Sequence, residues 1–368
     1  MRRPPPLRPT WIEVSLSAVA ANLRALKAAC GDAKVLFVVK ANAYGHGAAR
    51  LAQFAQERGL CDFFGVSSVE EGLELRACGV TLPVLVLGSI YPFSAFEAAL
   101  ERELSVTVAS LDAALGVASA AARLGKTARC HIKVDTGMGR IGSRRPGAVK
   151  IAQFLADSPS AKIEGIYTHF SSPDSDPAFT RRQLKRFNDT LADCAALGLK
   201  TGLRHAASSY PAVHIPESRF DMVRPGLAVY GLLDGFQPAL SLKTRIVFLK
   251  DACSGASISY CRSFRARKPM RVATIPVGYG DGYARRLSKR GAALVNGARA
   301  RILGNVTMDM TMIDVTDVPD AEVGGEVVLI GEQNGERISA QDIAALTGTI
   351  SYETVTALAA RVPRLYTR

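Results

Sequence analysis

The strongest constraint on the fold is a repeating pattern in the first two thirds of the chain. Short apolar or β-branched runs alternate with stretches in which apolar residues recur at helical spacing. Strands that alternate with helices predict a parallel sheet, because each helix returns the chain to the starting edge of the sheet. The eight apolar runs cover residues 34–40, 62–68, 83–89, 105–110, 129–135, 161–170, 203–209 and 221–231.

Eight strand–helix units predict an α/β protein with a closed, TIM-like (β/α)8 barrel. A doubly wound open sheet is the alternative. That fold would usually carry a glycine-rich dinucleotide-binding turn after its first strand. The segment after the first run, residues 40–45 (KANAYG), is not such a turn.

The pattern changes near residue 240. From there the sequence predicts strands separated by turn residues, such as Asn296-Gly297, with few helical stretches before residue 340. We expect one strand over 240–250 and a closing helix over 351–361. The predicted organisation is an extended lead-in at residues 1–10, a barrel domain at 11–240 and a mostly β domain at 241–368.

Composition argues against several classes of partner. The 368-residue chain has a formal net charge of +13, but its basic residues are scattered and match no nucleic-acid-binding motif. No run of about 18 apolar residues predicts a membrane span. The N-terminus lacks the apolar segment of a signal peptide. The seven cysteines form no Cys-x-x-Cys pair, so we expect reduced thiols, no metal site and a cytoplasmic location.

Chemically reactive side chains collect where the predicted strands end, and barrels of this type carry their active sites there. Each could have an ordinary structural role. A strand-end lysine often extends its amine to water, and a single buried histidine is usually hydrogen-bonded in the core. Five such strand ends at one barrel mouth are harder to explain by chance. They carry Lys40 on the first strand, residues 131–140 on the fifth, His169 on the sixth, His205, Ser208 and Ser209 on the seventh, and Arg224 and Gly226 on the eighth.

These residue types indicate a cofactor. Ser208, Ser209 and the Gly226 amide would suit a phosphate near the last two strands, where many barrels bind one. A desolvated lysine can form a Schiff base with a carbonyl compound. An amine opposite a phosphate-bearing ligand suggests pyridoxal 5′-phosphate, bound covalently through Lys40.

The chain also closely resembles the alanine racemase family, from about residue 10 to residue 366. The most specific segments are 39–47 (VKANAYGHG), similar to the family's pyridoxal-phosphate signature, and 135–142 (DTGMGRIG). The resemblance implies an isomerase with a barrel and a C-terminal β domain. It would interconvert L-alanine and D-alanine and supply D-alanine for peptidoglycan. Further matching segments are 168–170, 220–226, 258–260, 276–282 and 308–309.

The resemblance also implies roles for single residues. Lys40 would hold the cofactor and act as one catalytic base. Tyr260 would be the second base, contributed by the partner subunit of a homodimer with shared active sites. Two bases are needed because a single fixed side chain cannot easily reach both faces of the α-carbon. Further cofactor-binding residues would be Tyr44, Arg140, His169, Ser209, Arg224, Gly226 and Leu227.

The family pattern assigns other contacts in the same way. Arg140, Tyr279 and Met308 would contact the substrate, and Lys133, open to carbamylation, would orient Arg140. Arg224 would face the pyridine nitrogen, which would stay unprotonated because arginine does not give up its proton.

Other functions stay open at this point. A racemase that prefers serine, or accepts several amino acids, would carry the same motifs. A cofactor-binding barrel without catalysis is a second alternative, although such proteins resemble the barrel alone. A fold-related decarboxylase is a third, but its signatures are absent. The chain departs from the family pattern at positions that bear on pocket size, namely Ser208, Ser209, Cys261, Asn305 and Ala360.

Overall fold

The structure is a computed structural model that describes residues 7–368. Residues 1–6 of the predicted lead-in lie outside the described residues. The chain forms two compact units. The larger contains residues 19–43 and 47–236, and the smaller contains residues up to 18, 44–46 and 237–368. The first elements are strand β1 (Thr10–Ser15) and helix α1 (Leu16–Cys30).

The larger unit is built on an eight-stranded sheet in which every pairing is parallel, in the order β8-β7-β6-β5-β4-β3-β2-β9. Backbone hydrogen bonds connect the two end strands, from Asp221 N–H to Arg204 O (3.0 Å) and from Arg224 N–H to Ala207 O (2.9 Å). The predicted barrel is therefore confirmed. Its strands are β2 (Lys34–Val38), β3 (Phe63–Val66), β4 (Val84–Val86), β5 (Ser105–Val108), β6 (Ala128–Lys133), β7 (Ala161–Tyr167), β8 (Leu203–His205) and β9 (Met222–Val223).

Local signals explain the helices between these strands. Ser68 and Ser110 accept hydrogen bonds from the N–H groups of Glu71 and Ala113, which caps two of the helices. Gly125 ends the second of them with a φ of 60°. The segments are α2 (Lys40–Tyr44), which is a left-handed turn, and the helices α3 (Ala48–Glu57), α4 (Val69–Ala77), α5 (Ala95–Glu101), α6 (Leu111–Leu124), α7 (Arg145–Asp157), α8 (Pro177–Ala196) and α9 (Ser209–His214).

The smaller unit is mostly β. Its main sheet has the order β11-β14-β17-β16-β15-β18-β10-β1-β20, β19 pairs with β18, and β12 pairs with β13. The strands are β10 (Leu240–Arg245), β11 (Phe248–Ala252), β12 (Ser257–Ile258), β13 (Phe264–Arg265), β14 (Met270–Ile275), β15 (Ala292–Val295), β16 (Ala298–Leu303), β17 (Thr311–Asp314), β18 (Glu326–Gln333), β19 (Glu336–Ile338) and β20 (Arg364–Thr367). The helices are α10 (Ala340–Thr347) and α11 (Ser351–Thr356).

Three details of the smaller unit differ from the prediction. The strand expected over 240–250 is broken between β10 and β11. The closing helix ends at Thr356, and the chain finishes as β20, which pairs with β1 in parallel. Strand β1 also pairs with β10, so it belongs to this sheet, whereas the predicted boundary placed residues 11–15 in the barrel domain. All three differences come from pairings between segments that are distant in sequence.

Candidate active site

Lys40 follows β2 directly, at the carboxyl end of the barrel. The sheet extends to the residue before it, because Val39 N–H donates to Gly65 O (2.8 Å). Residues 41–44 then all have left-handed φ angles, between 51° and 54°. This conformation costs non-glycine residues about 1–2 kcal/mol each. The surroundings hold it in place, for example through Ala41 N–H, which donates to Glu71 Oε1 (2.7 Å). Strain of this kind is typical of functional sites.

The half-buried amine of Lys40 has a lowered pKa. Burial is the largest cause, the positive charge of Arg140 lowers the pKa further, and Glu71 opposes both. A lowered pKa increases the fraction of neutral amine near pH 7. The neutral amine is the form that can attack a carbonyl group or accept a proton.

The loop after β6 is shaped by the Asp135 carboxylate. Its Oδ1 accepts hydrogen bonds from the N–H groups of Gly137 (3.0 Å) and Gly139 (3.1 Å). A Cβ atom at Gly142 would lie 2.8 Å from Asp135 N, and this glycine has a φ of 122°. The conformation of this loop therefore requires the aspartate and the glycines of the DTGMGRIG segment. Exposed Arg140 lies in the same loop.

Lys133, the last residue of β6, is more deeply buried than Lys40, with 3% of the residue exposed. Its Nζ lies 4.3 Å from the centre of the Tyr167 ring, and no ion pair found among residues 7–368 includes it. Burial lowers its pKa well below the usual value, and the charges of Arg224 and Arg140 add to that effect. A neutral amine is the form that adds to carbon dioxide, so the environment suits the predicted carbamylation.

Arg224 is a buried cation whose hydrogen bonds go to neutral acceptors. Its Nη2 donates to Thr168 O (2.8 Å) and Ala206 O (3.1 Å). Its Nη1 lies 3.0 Å from His205 Nδ1, and Nη2 lies 3.3 Å from His169 Nδ1. Burial lowers the pKa of Arg224 to about 10, so the guanidinium remains protonated at neutral pH.

His169 lies at the centre of the cationic group. Burial lowers its pKa well below the usual value, and the charges of Arg224, Lys133, Arg140 and Lys40 lower it further, in that order. Because arginine can only donate, His169 Nδ1 must accept from Arg224, and the ring proton is on Nε2. The imidazole is therefore neutral and presents an N–H donor on its other side.

Ser209 has the geometry of an anion-binding hydroxyl. The residue is buried, and its Oγ accepts hydrogen bonds from Gly226 N–H (3.0 Å) and Ala228 N–H (3.1 Å). A serine hydroxyl has two lone pairs and one proton. Both lone pairs are occupied, so the O–H can act only as a donor, which suits a phosphate oxygen. Leu227 lies between the two amides. Ser208 precedes α9 as its N-cap residue, without a side-chain capping hydrogen bond.

The remaining predicted residues lie in the smaller unit. Tyr260 is 71% exposed, Met308 54% and Tyr279 42%. Their loops are linked, because Asn305 Nδ2 donates to Tyr260 O (3.3 Å) and Tyr279 N–H donates to Thr307 O (3.0 Å). These three exposed side chains therefore sit on one connected set of loops. Tyr44, in the left-handed turn, is half-buried and is grouped with the same unit.

Three buried or half-buried residues of the barrel site, His131, Glu164 and His205, have no role that the sequence predicts. The sequence places His131 and His205 among the reactive residues of the strand ends but assigns neither a role, and it gives no prediction for Glu164. The structure places all three in line with Arg224, through hydrogen bonds of 2.9–3.0 Å. The available signal was the glycine within the β7 strand, next to an acidic residue, because an isolated glycine in a strand suggests a β-bulge.

The residues at this mouth fit pyridoxal 5′-phosphate. The cofactor is an anion, and the barrel end brings Lys40, Lys133, Arg140 and Arg224 around His169. An amine with a lowered pKa is available for its aldehyde, and Ser209 offers a hydroxyl proton to its phosphate.

Comparison with known proteins agrees with this fit. The family model described as "Alanine racemase, N-terminal domain" matches residues 14–234, and "Alanine racemase, C-terminal domain" matches residues 239–366. The curated alanine racemase of Symbiobacterium thermophilum is 46% identical over 372 residues, covering 98% of this chain and 97% of that protein.

Solved structures give the same result. The crystal structure of alanine racemase from Bacillus anthracis with bound L-Ala-P is 35% identical, with a TM-score of 0.92, covering 99% of this chain and 96% of that chain. Alanine racemase from D-cycloserine-producing Streptomyces lavendulae is 34% identical, with a TM-score of 0.93, covering 99% and 98%. The two family models, the similar proteins and the solved structures therefore all indicate the same family as the sequence motifs, and the chain belongs to the alanine racemase family.

Proposed function

We propose that this chain is a pyridoxal-phosphate-dependent alanine racemase that interconverts L-alanine and D-alanine and supplies D-alanine for peptidoglycan. The observation that carries the proposal is the position of Lys40 directly after β2, at the barrel end where Arg140 and Arg224 lie near His169. The lowered pKa of the Lys40 amine agrees with this position. The substrate follows from family membership.

Several residues would hold the cofactor. Lys40 would bind it covalently, and Ser209 O–H, the Leu227 amide and Tyr44 would bind its phosphate. Gly226, also predicted to bind the phosphate, would act through Ser209, because its N–H donates to Ser209 Oγ. Arg140, His169 and Arg224 would surround the ring. When bound, pyridoxal phosphate supplies an electron sink that makes the α-C–H of an amino acid acidic.

Racemisation then needs a proton acceptor on each face of the α-carbon. Lys40 Nζ would serve one face, because burial and Arg140 keep a useful fraction of the amine neutral. Tyr260 Oη would serve the other. A tyrosine has an intrinsic pKa near 10, so it needs donors that stabilise its phenolate. The N–H that His169 presents on Nε2 is suited to that role.

A homodimer would bring the two bases together, with Tyr260 of one subunit serving the site that contains Lys40 of its partner. Supporting this, the loops that carry Tyr260, Tyr279 and Met308 expose large side chains, and Met310 beside them is 49% exposed. Grouped exposed apolar side chains often mark interaction surfaces.

The proposed location is the cytoplasm. All seven cysteines are free thiols, which favours a reducing compartment. Among the helices of residues 7–368, none combines the length and apolar character that a membrane span requires.

Chiral amino-acid analysis tests the function. Purified protein with pyridoxal phosphate should convert L-alanine to a mixture of both isomers, and L-serine more slowly. Lys40→Ala should abolish the conversion, whereas Lys150→Ala, an exposed lysine on α7, should not change it. Absence of D-alanine from the wild-type reaction, with the cofactor bound, would contradict the proposal. Faster conversion of serine would favour the serine-racemase alternative.

A further inference from the structure

Behind Arg224, three side chains extend the hydrogen-bond network away from the barrel mouth. Arg224 Nη1 lies 3.0 Å from His205 Nδ1, His205 Nε2 lies 2.9 Å from His131 Nδ1, and His131 Nε2 lies 3.0 Å from Glu164 Oε2. Both imidazoles are fully buried, and 17% of the Glu164 side chain is exposed. We call His205, His131 and Glu164 the relay.

Hydrogen-bond chemistry allows the relay only one arrangement of protons. Arginine has no acceptor, so His205 Nδ1 must accept from it. A histidine that accepts at Nδ1 carries its proton on Nε2, and His205 therefore donates to His131 Nδ1. By the same reasoning His131 is neutral and donates from Nε2 to the Glu164 carboxylate. The bonds thus run in one direction, from the guanidinium to the carboxylate.

The backbone is built to accommodate the relay. In the pairing of β6 with β7, Cys130 is opposite Ile163 and His131 is opposite Gly165, so Glu164 is the extra residue of a β-bulge. Bulges redirect side chains and are common next to active sites. A Cβ atom at Gly165 would lie 2.4 Å from His131 Nδ1. A glycine is therefore required opposite the imidazole.

The relay connects the buried positive charge of Arg224 to a negative charge. No ion pair found among residues 7–368 includes Arg224, although only 4% of this cation is exposed. Burial opposes ionisation of Glu164, but hydrogen bonds from His131 and Ser105 and the nearby charge of Arg129 outweigh it, so its pKa lies below the usual range. The relay therefore ends in a carboxylate, which is the negative charge that Arg224 lacks in direct contact.

We propose that Glu164 is a positioning residue for Arg224, acting through His131 and His205. The carboxylate at one end and the guanidinium at the other both require Nε2–H tautomers of the two imidazoles. That tautomer turns the acceptor atom of His205 toward the guanidinium, and the guanidinium is held in one orientation at the cofactor site. Its consequence for catalysis rests on the proposed function, whereas the tautomers do not.

Nuclear magnetic resonance can read the tautomers directly. The chain has five histidines, so a ¹⁵N-histidine-labelled, cofactor-loaded sample gives few signals, and single His→Gln variants can assign them. The ¹⁵N shifts and long-range ¹H–¹⁵N couplings should show His131 and His205 as Nε2–H tautomers. An Nδ1–H tautomer at either residue would overturn the proposal.

Variants of Glu164 test its control over the relay. Glu164→Leu leaves the Nε2–H of His131 without an acceptor. Reversing the relay would satisfy His131 but would put a proton on His205 Nδ1 and break its hydrogen bond with Arg224. The variant should therefore give His131 and His205 mixed tautomers, which report a displaced guanidinium. It should also shift the absorption band of the bound cofactor and lower kcat on the order of 10-fold, with a smaller change in KM. Glu164→Gln keeps an acceptor and should preserve both tautomers. Lys162→Gln is the matched control, because Lys162 is an exposed residue of the same strand and lies outside the relay.

The outcomes separate this proposal from the function. Unchanged tautomers in Glu164→Leu would overturn the positioning role even if the wild-type protein racemises alanine. If that variant does not fold, an Nδ1–H tautomer at His131 or His205 in the wild type, or altered tautomers in Glu164→Gln, would still overturn the proposal. Correct tautomers in a protein that makes no D-alanine would uphold the relay and refute the proposed function.

Discussion

Tyr260→Phe removes one hydroxyl from a side chain that is 71% exposed. Because the packing at such a position changes little, the free energy of unfolding should stay within about 0.5 kcal/mol of the wild-type value. Loss of a general base typically lowers a rate by about 10²–10⁴-fold. At about 1.36 kcal/mol for each factor of ten, that loss is about 2.7–5.4 kcal/mol of activation free energy. The expected catalytic effect therefore exceeds the expected stability effect at least fivefold.

The assay is deuterium washout from α-deuterated L-alanine and D-alanine, each followed separately by mass spectrometry. By the family pattern, Tyr260 would serve the L-isomer and Lys40 the D-isomer. The variant should lose exchange with L-alanine and retain it with D-alanine. Tyr91→Phe is the matched control, because Tyr91 is 83% exposed and lies outside the proposed site; it should behave as wild type.

Equal loss of exchange from both isomers, with the cofactor still bound, would refute the assignment of one base to each face. Retention of both exchanges would show that Tyr260 is not a base at all. A large drop in thermal stability would point to a structural role for the hydroxyl instead.

Three further predictions concern assembly, packing and pH. Mixing Lys40→Ala subunits with Tyr260→Phe subunits should restore part of the activity if sites are shared; no recovery after proven subunit exchange would contradict sharing. Gly165→Ala should destabilise the fold by about 1–3 kcal/mol in urea titrations, because its Cβ would lie 2.4 Å from His131 Nδ1. The control, Gly147→Ala on α7, should change the free energy of unfolding little. Equal effects of the two substitutions would count against the relay geometry. Burial lowers the pKa of His169 and His205 in the folded state, so the unfolded chain binds more protons than the folded chain below the usual histidine pKa near 6.5. The free energy of unfolding should therefore fall as the pH drops from about 7 to 5. A flat profile would argue against buried neutral histidines.

Local signals were sufficient to predict the barrel. Each of the eight apolar runs overlaps a strand, because a buried strand followed by an amphipathic helix leaves a pattern within one short segment. The hairpin at Asn296-Gly297 follows the same logic. These residues have φ angles of 51° and 83°, as the expected tight turn between β15 and β16 requires.

The errors lie where distant segments meet. No local pattern in residues 364–367 predicts their parallel pairing with residues 12–15, and the apolar residues before them predict a longer helix. The left-handed turn at 41–44 also lacks a sequence signal, since only glycine adopts that conformation readily. Its support comes from Glu71, on a different helix.

The candidate site shows the same division. Motif residues such as Lys40, Lys133 and Arg224 were found because they end strands or match family segments, and the structure gathers them around His169. Their pKa directions depend on burial and on one another, so no single segment contains them. Glu164 escaped notice because its role depends on a bulge and on two imidazoles from other strands.

Lys40 and Lys133 are two buried or half-buried lysines with lowered pKa values in the same barrel mouth, and only one of them should bind the cofactor. Borohydride reduction of the protein loaded with pyridoxal phosphate, followed by peptide mapping, distinguishes them. We expect a single labelled peptide containing Lys40, and no covalent label in Lys40→Ala. A label on Lys133, or on any other lysine of the wild-type protein, would contradict the assignment on which the proposed function rests.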